Sequence, residues 1–152
     1  MKMCFIASSG GHLDELLMLK PLMDKYQSYI VTEKTSFDAL PNTGLRAYYF
    51  PQINRSELIF IFKLIALIWR SAVLLYKEQP DVIISTGALV SVPTCLLAKL
   101  FRKKVIFIES IAKLYSPTLS GKLVYRFADL FIIQWESLQT YFPDAVYGGW
   151  IY

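Results

Sequence analysis

Lys2–Leu19, KMCFIASSGGHLDELLML, runs from an apolar segment through a glycine turn into a helical face. Lys2–Ala7 reads as a short buried strand and Gly10–Gly11 as the turn. Leu13, Leu16, Leu17 and Leu19 then fall at helical spacing up to Pro21. The same order recurs downstream. DVIIS, Asp81–Ser85, runs into a turn at Thr86–Gly87 and a predicted helix over Val90–Phe101, where Pro93 suits the first turn. KVIFI, Lys104–Ile108, precedes Glu109 and a predicted helix over Pro117–Phe127, with Ser116 as its expected N-cap. LFII, Leu130–Ile133, precedes a helical turn over Ser137–Tyr141. Gln27–Val31 and Leu45–Phe50 read as two more strands, Phe37–Asn42 as a short helix or loop, and Pro143–Tyr147 as a last extended piece. Short apolar strands alternating with helices predict a parallel sheet covered on both faces. The expected fold is α/β: a Rossmann-like, doubly wound parallel sheet forming one domain over residues 1–152.

The 152 residues suit a single core. The hydrophobic share is 55% and the mean hydropathy +0.40, both high for a soluble domain. Apolar surface should therefore remain for a membrane or a partner. Sixteen Lys and Arg against twelve Asp and Glu give a net charge of +4. That surplus suits anionic lipid, a nucleotide sugar or nucleic acid, and is too small to choose among them. Cys4 and Cys95 show no metal-ligand spacing and read as small core residues in a reducing compartment. The first apolar run is too short for a secretory signal, so the expectation is a protein on the cytoplasmic side.

Ligands of such sheets bind at the carboxyl ends of the strands. Three loops should meet there: SSGGH, STGALVSVP and IESIAKLYSPTLSG. In the first, Ser9, Gly10, Gly11 and the helix start at Leu13 offer bare backbone and partial positive charge to an anion. The spacing is neither GxGxxG nor a P-loop, and a tight strand–helix connection explains it equally well. His12 is the only histidine in the chain. Thr86 and Gly87 present the same logic in the second loop. Glu109 ends a buried strand, where a carboxylate must be paired, hydrogen-bonded or in use. It can orient His12, accept a proton, bond a sugar hydroxyl, or simply cap the following loop. Glu33 stands near the spacing of a ribose-binding acid, but without the rest of that fingerprint.

Ser56–Lys77, SELIFIFKLIALIWRSAVLLYK, reads as one long helix. Lys63, Arg70 and Lys77 recur every seven residues and so share one narrow stripe. The apolar face is wider than one sheet contact requires. Two mid-helix cations disfavour a membrane span, and the pattern suits an interfacial helix with Trp69 and Tyr76 as amphipathic anchors. A buried core helix, or one covered by a partner protein, is the alternative. LAKLFRKK, Leu97–Lys104, adds four cations that face the same anionic surface or only water.

SSGGHLDELLML, DVIISTGALVSVP, FIESIAKLYSPTLSGKLVYRFADLFIIQWESL and YFPDAVYGG occur in that order. Together they resemble the membrane-associated, acceptor-side subunit of split GT-B glycosyltransferases. That group includes the PssD-type capsule and exopolysaccharide proteins and the anchor subunit of the eukaryotic two-subunit UDP-N-acetylglucosamine transferase of asparagine-linked glycosylation. It is also similar to the N-terminal half of MurG. The resemblance implies a metal-independent, inverting hexosyltransferase that is active only with a PssE-like partner. That partner would bind the UDP-sugar, and the chain itself would need no cofactor. The acceptor would be a polyprenyl-diphosphate-linked sugar, held at the cytoplasmic membrane surface by a peripheral subunit that binds no nucleic acid. His12 is then the first candidate base, because imidazole suits proton transfer near neutral pH, and Glu109 the second. Ser9, Gly10, Gly11 and Leu13 would face the diphosphate, and Thr86 and Gly87 would shape the acceptor pocket. The alternative is a non-catalytic scaffold that recruits and enhances its partner.

Overall fold

The computed structural model describes residues 1–34, 43–53 and 59–152. The predicted Phe37–Asn42 segment and the Ser56 start of the long helix lie outside the described residues. The strands are β1 (Lys2–Ala7), β2 (Gln27–Lys34), β3 (Arg46–Pro51), β4 (Val82–Gly87), β5 (Lys104–Ile108), β6 (Leu130–Ile133) and β7 (Val146–Tyr147). They form one seven-stranded sheet in the order β3-β2-β1-β4-β5-β6-β7. Every neighbouring pair is parallel. The expected α/β, doubly wound fold is the observed one. The strand order reverses between β1 and β4, which opens a crevice at their carboxyl ends.

Alternation along β1 explains both layers. Met3, Phe5 and Ala7 face one side and pack with Leu13 and Leu16 of α1 (Gly11–Leu17) and Met23 of α2 (Lys20–Met23). Cys4 and Ile6 face the other side. There they meet Leu67, Leu74 and Leu75 of α3 (Phe60–Glu78), Cys95 and Ala98 of α4 (Ser91–Leu100) and Val124 of α5 (Leu119–Val124). Both thiols are fully buried and unpaired, and burial pushes each pKa up, Cys4 to about 12. They are inert core residues, as expected.

Several boundaries differ from the sequence reading: β2 runs on to Lys34, and β4 takes in Thr86 and Gly87. The α5 helix begins at Leu119 and its cap is Thr118, not Ser116: the Thr118 Oγ1 accepts the Gly121 N–H at 2.8 Å. The last extended piece forms a strand only over Val146–Tyr147, preceded by a 3-10 helix at Glu136–Thr140.

Candidate functional site

The glycine turn positions the site. Gly10 is the N-cap of α1 at φ +79°, a region glycine enters freely, and it accepts the amides of Leu13 (2.8 Å) and Asp14 (3.1 Å). Open space surrounds Gly10 and Gly11. One of the expected anion contacts is corrected here. The Leu13 amide is held within the turn and its side chain is core. Glu33 is partly buried, which raises its pKa, and the backbone of Ile53 and Ser9 nearby opposes that.

His12 leaves the first turn of α1 toward β4. Its Nδ1 lies 2.9 Å from the Thr86 carbonyl oxygen, and the Thr86 hydroxyl donates back to the His12 carbonyl at 2.6 Å. A carbonyl only accepts, so Nδ1 carries a proton and Nε2 is the ring nitrogen that can accept one. Thr86 is fully buried and acts on the cleft only through His12. Gly87, at φ +117°, makes room for the ring: a Cβ there would sit 3.1 Å from both Cε1 and Nδ1. Ala88 follows at φ +26°, a second left-handed residue in a row. His12, Ala88, Leu89, Lys113, Thr118 and Leu119 line a cleft of about 370 Å³.

Glu109 is 1% exposed and acts as a hub. Its Oε1 accepts from the Ser110 amide (3.0 Å), and its Oε2 from the Thr118 amide (3.3 Å) and hydroxyl (3.1 Å). Burial raises its pKa, while the Thr118 and Ser110 bonds and the field of His12 oppose that. Gly121 is packed so tightly against it that a Cβ would lie 1.9 Å from Oε2. Glu109 does not orient His12; the Thr86 carbonyl does. The QW pair completes the loop: Gln134 Nε2 donates to the Glu109 carbonyl (3.0 Å) and Trp135 Nε1 to that of Ile111 (2.7 Å).

The sequence reading missed Glu15. This buried carboxylate accepts from the Ser110 hydroxyl (3.0 Å) and the Ile111 amide (2.9 Å), tying α1 to the loop after β5. Burial raises its pKa. The available signal was its position between Leu13 and Leu16 on the buried face of α1. Lys113 was missed as well, and nothing in its local pattern marks it.

A family model described as "Oligosaccharide biosynthesis protein Alg14 like" matches residues 3–151. The chain belongs to the Alg14-like family. It is 31% identical to the UDP-N-acetylglucosamine transferase subunit ALG14 of Rattus norvegicus over 95% of this chain and 80% of that one. Among solved structures it resembles Acinetobacter baumannii MurG, with a TM-score of 0.76 and 16% identity. That match covers 90% of this chain but only 42% of MurG. It also resembles the UDP-N-acetylglucosamine 2-epimerase of Rickettsia bellii, with a TM-score of 0.70, 14% identity and coverage of 94% and 41% of the two chains. MurG and a UDP-N-acetylglucosamine 2-epimerase share the fold, so the fold alone does not choose the chemistry.

In this Alg14-like chain the long helix α3 buries Leu67, Ser71, Leu74, Leu75 and Glu78. Its opposite face exposes Ile61, Phe62, Ile65, Trp69 and Tyr76, with Trp69 at 70% and Tyr76 at 80%. The alternative of a wholly buried core helix does not hold. Arg70 and Lys77 line a shallow groove of about 280 Å³ with Tyr48, Tyr49 and Trp69. Lys63 is half-buried, whereas Arg70 and Lys77 are exposed, and the Lys77 ammonium lies over the Tyr48 ring at 6.0 Å. Among the described residues no helix is long and apolar enough to cross a membrane.

Proposed function

We propose that this chain is the acceptor-side subunit of a two-component inverting glycosyltransferase. The carrying observation is the clamped ring of His12, whose Nε2 is left as the acceptor in a cleft at the switch point of the sheet. Its similarity to a named UDP-N-acetylglucosamine transferase subunit supports the reaction class. A hydroxyl of the acceptor sugar attacks the anomeric carbon of the donor. The bond from that carbon to UDP breaks with inversion, and the hydroxyl proton passes to His12 Nε2. A PssE-like partner supplies the UDP-sugar. Gly10 and Gly11 form the open backbone on the acceptor side. The reading assigns the chain itself no cofactor.

The acceptor is a polyprenyl-diphosphate-linked saccharide. For a PssD-type chain it would be undecaprenyl-linked and serve capsule or exopolysaccharide repeat synthesis. The exposed face of α3, with Trp69, Tyr76, Arg70 and Lys77, would hold the subunit peripherally on the cytoplasmic face of an anionic membrane.

Reconstitution with the partner tests the reading. Label from UDP-N-acetylglucosamine should enter a lipid-diphosphate-linked sugar only when both chains are present. A second reading, favoured by the loop-organising role of Glu109 and the open face of α3, is a scaffold that recruits a catalytic partner. Under it the partner alone transfers slowly, and His12→Ala leaves the enhancement intact. A large loss of turnover in His12→Ala excludes the scaffold.

A further inference from the structure

The cleft beside His12 combines three chemistries. His12 presents a ring nitrogen. Among the described residues Lys113 is the only lysine or arginine in the lining, and no carboxylate lies within ion-pair distance of it. Leu89, Pro117 and Leu119 form an apolar wall. One helical turn beyond Leu119, Leu123 continues that wall out of the cleft, because residues four apart share a helix face. The two leucines are 58% and 47% exposed, although Ser120, Gly121 and Val124 on the other side of α5 are buried. Among the described residues no carboxylate side chain lines this space; Glu109 lies behind Thr118. The α5 helix also belongs to the same layer as α3, whose outer face is apolar.

We propose that Leu119, Leu123 and Leu89 form a groove for the first isoprene units of the acceptor lipid, with Lys113 on its diphosphate. This rests on the transferase reading and adds where the lipid leaves the cleft. The observation that selects a lipid over a peptide is continuity: a polyprenyl-diphosphate sugar joins a hydroxyl-bearing ring, an anion and an apolar chain in one molecule. The cleft offers a counterpart to each. A diphosphate on Lys113 gains from the absence of competing carboxylates, and an isoprene chain on the two leucines removes exposed apolar area from water.

Calorimetric titration of the full chain with inorganic pyrophosphate, geranyl diphosphate and farnesyl diphosphate tests this. On the wild type each added isoprene unit should tighten binding about tenfold, because only part of each unit is buried on an open groove. The double variant Leu119→Ser/Leu123→Ser should bind all three alike, with pyrophosphate affinity unchanged. Both side chains are exposed, so the variant should fold. Lys113→Met should weaken all three ligands. A wild type with no gain from the longer chain, or a double variant that keeps the gain, overturns the groove. If the double variant instead loses capture of the partner subunit and keeps the isoprene gain, α5 is a protein interface. Transfer activity without the isoprene gain defeats only this inference; the gain without transfer defeats only the transferase reading.

Discussion

The two ends of the sheet treat carboxylates in opposite ways. At the amino end, Glu78 bonds Lys2 and Tyr48, with Arg46 at 3.3 Å, and these contacts, Lys2 foremost, hold its pKa down to about 2. Asp129 is also partly desolvated, yet Lys99 at 2.8 Å, the Val105 amide and Lys104 at 3.2 Å bring it to about 2. At the carboxyl end, Glu15, Glu33 and Glu109 are all raised by burial, and Glu15 and Glu109 are held by amides and hydroxyls. Among the described residues none of the three has a basic side chain in ion-pair distance. Ion pairs fasten the amino end. Neutral donors shape the carboxyl end, which leaves Lys113 and His12 available to a ligand.

The sharpest way to break this comparison is to mutate one residue from each end. With its partner present, His12→Ala should lower turnover by about 10²–10⁴-fold, the usual worth of a positioned base, with little change in melting temperature. Unchanged turnover would remove the carboxyl end's claim to chemistry. Gly121→Ala comes next. Its Cβ would sit 1.9 Å from Glu109 Oε2, and overpacking of this kind costs about 1–3 kcal/mol, occasionally more. A wild-type denaturation midpoint would mean that the Glu109 hub yields easily.

Glu78→Gln should then destabilise by roughly 1–3 kcal/mol at pH 7, since it loses charge-assisted bonds from Lys2 and Arg46, while leaving transfer kinetics alone. The sign follows from its depressed pKa. The stabilisation is present above the ordinary carboxylate range and disappears as pH falls toward about 2. Wild type and variant should therefore converge in acid. Glu109→Gln should show the smallest effect and the opposite trend. Its folded pKa is raised, so the wild type loses stability as pH climbs from the ordinary carboxylate range through the raised value. The variant should gain on the wild type over that interval. Parallel melting curves at every pH would contradict the raised pKa.

Much of this was legible in the sequence. The strands KVIFI and LFII have the bounds that their composition predicts. The glycine pair, His12, Thr86, Gly87 and Glu109 do converge on one edge. What local pattern could not show is the partner of each group. Thr118 displaces Ser116 as the cap of α5 because its hydroxyl reaches both Gly121 and Glu109. Leu13 suited an anion by position along the chain, yet the turn already uses its amide.

By itself the sequence determined the layers: short continuous apolar strands and apolar helix faces are local consequences of side-chain chemistry, and they dictate a sheet covered on both sides. The tertiary structure alone decided the site. The group that sets the His12 tautomer is a backbone carbonyl 74 residues away, and every residue has a carbonyl, so no residue type could announce it. The pairing depends on β1 lying beside β4, with a register shift that brings Ala7 against Gly87. Glu15 likewise meets Ser110 across 95 residues of chain. These contacts follow from strand order and register, which only the packed sheet fixes.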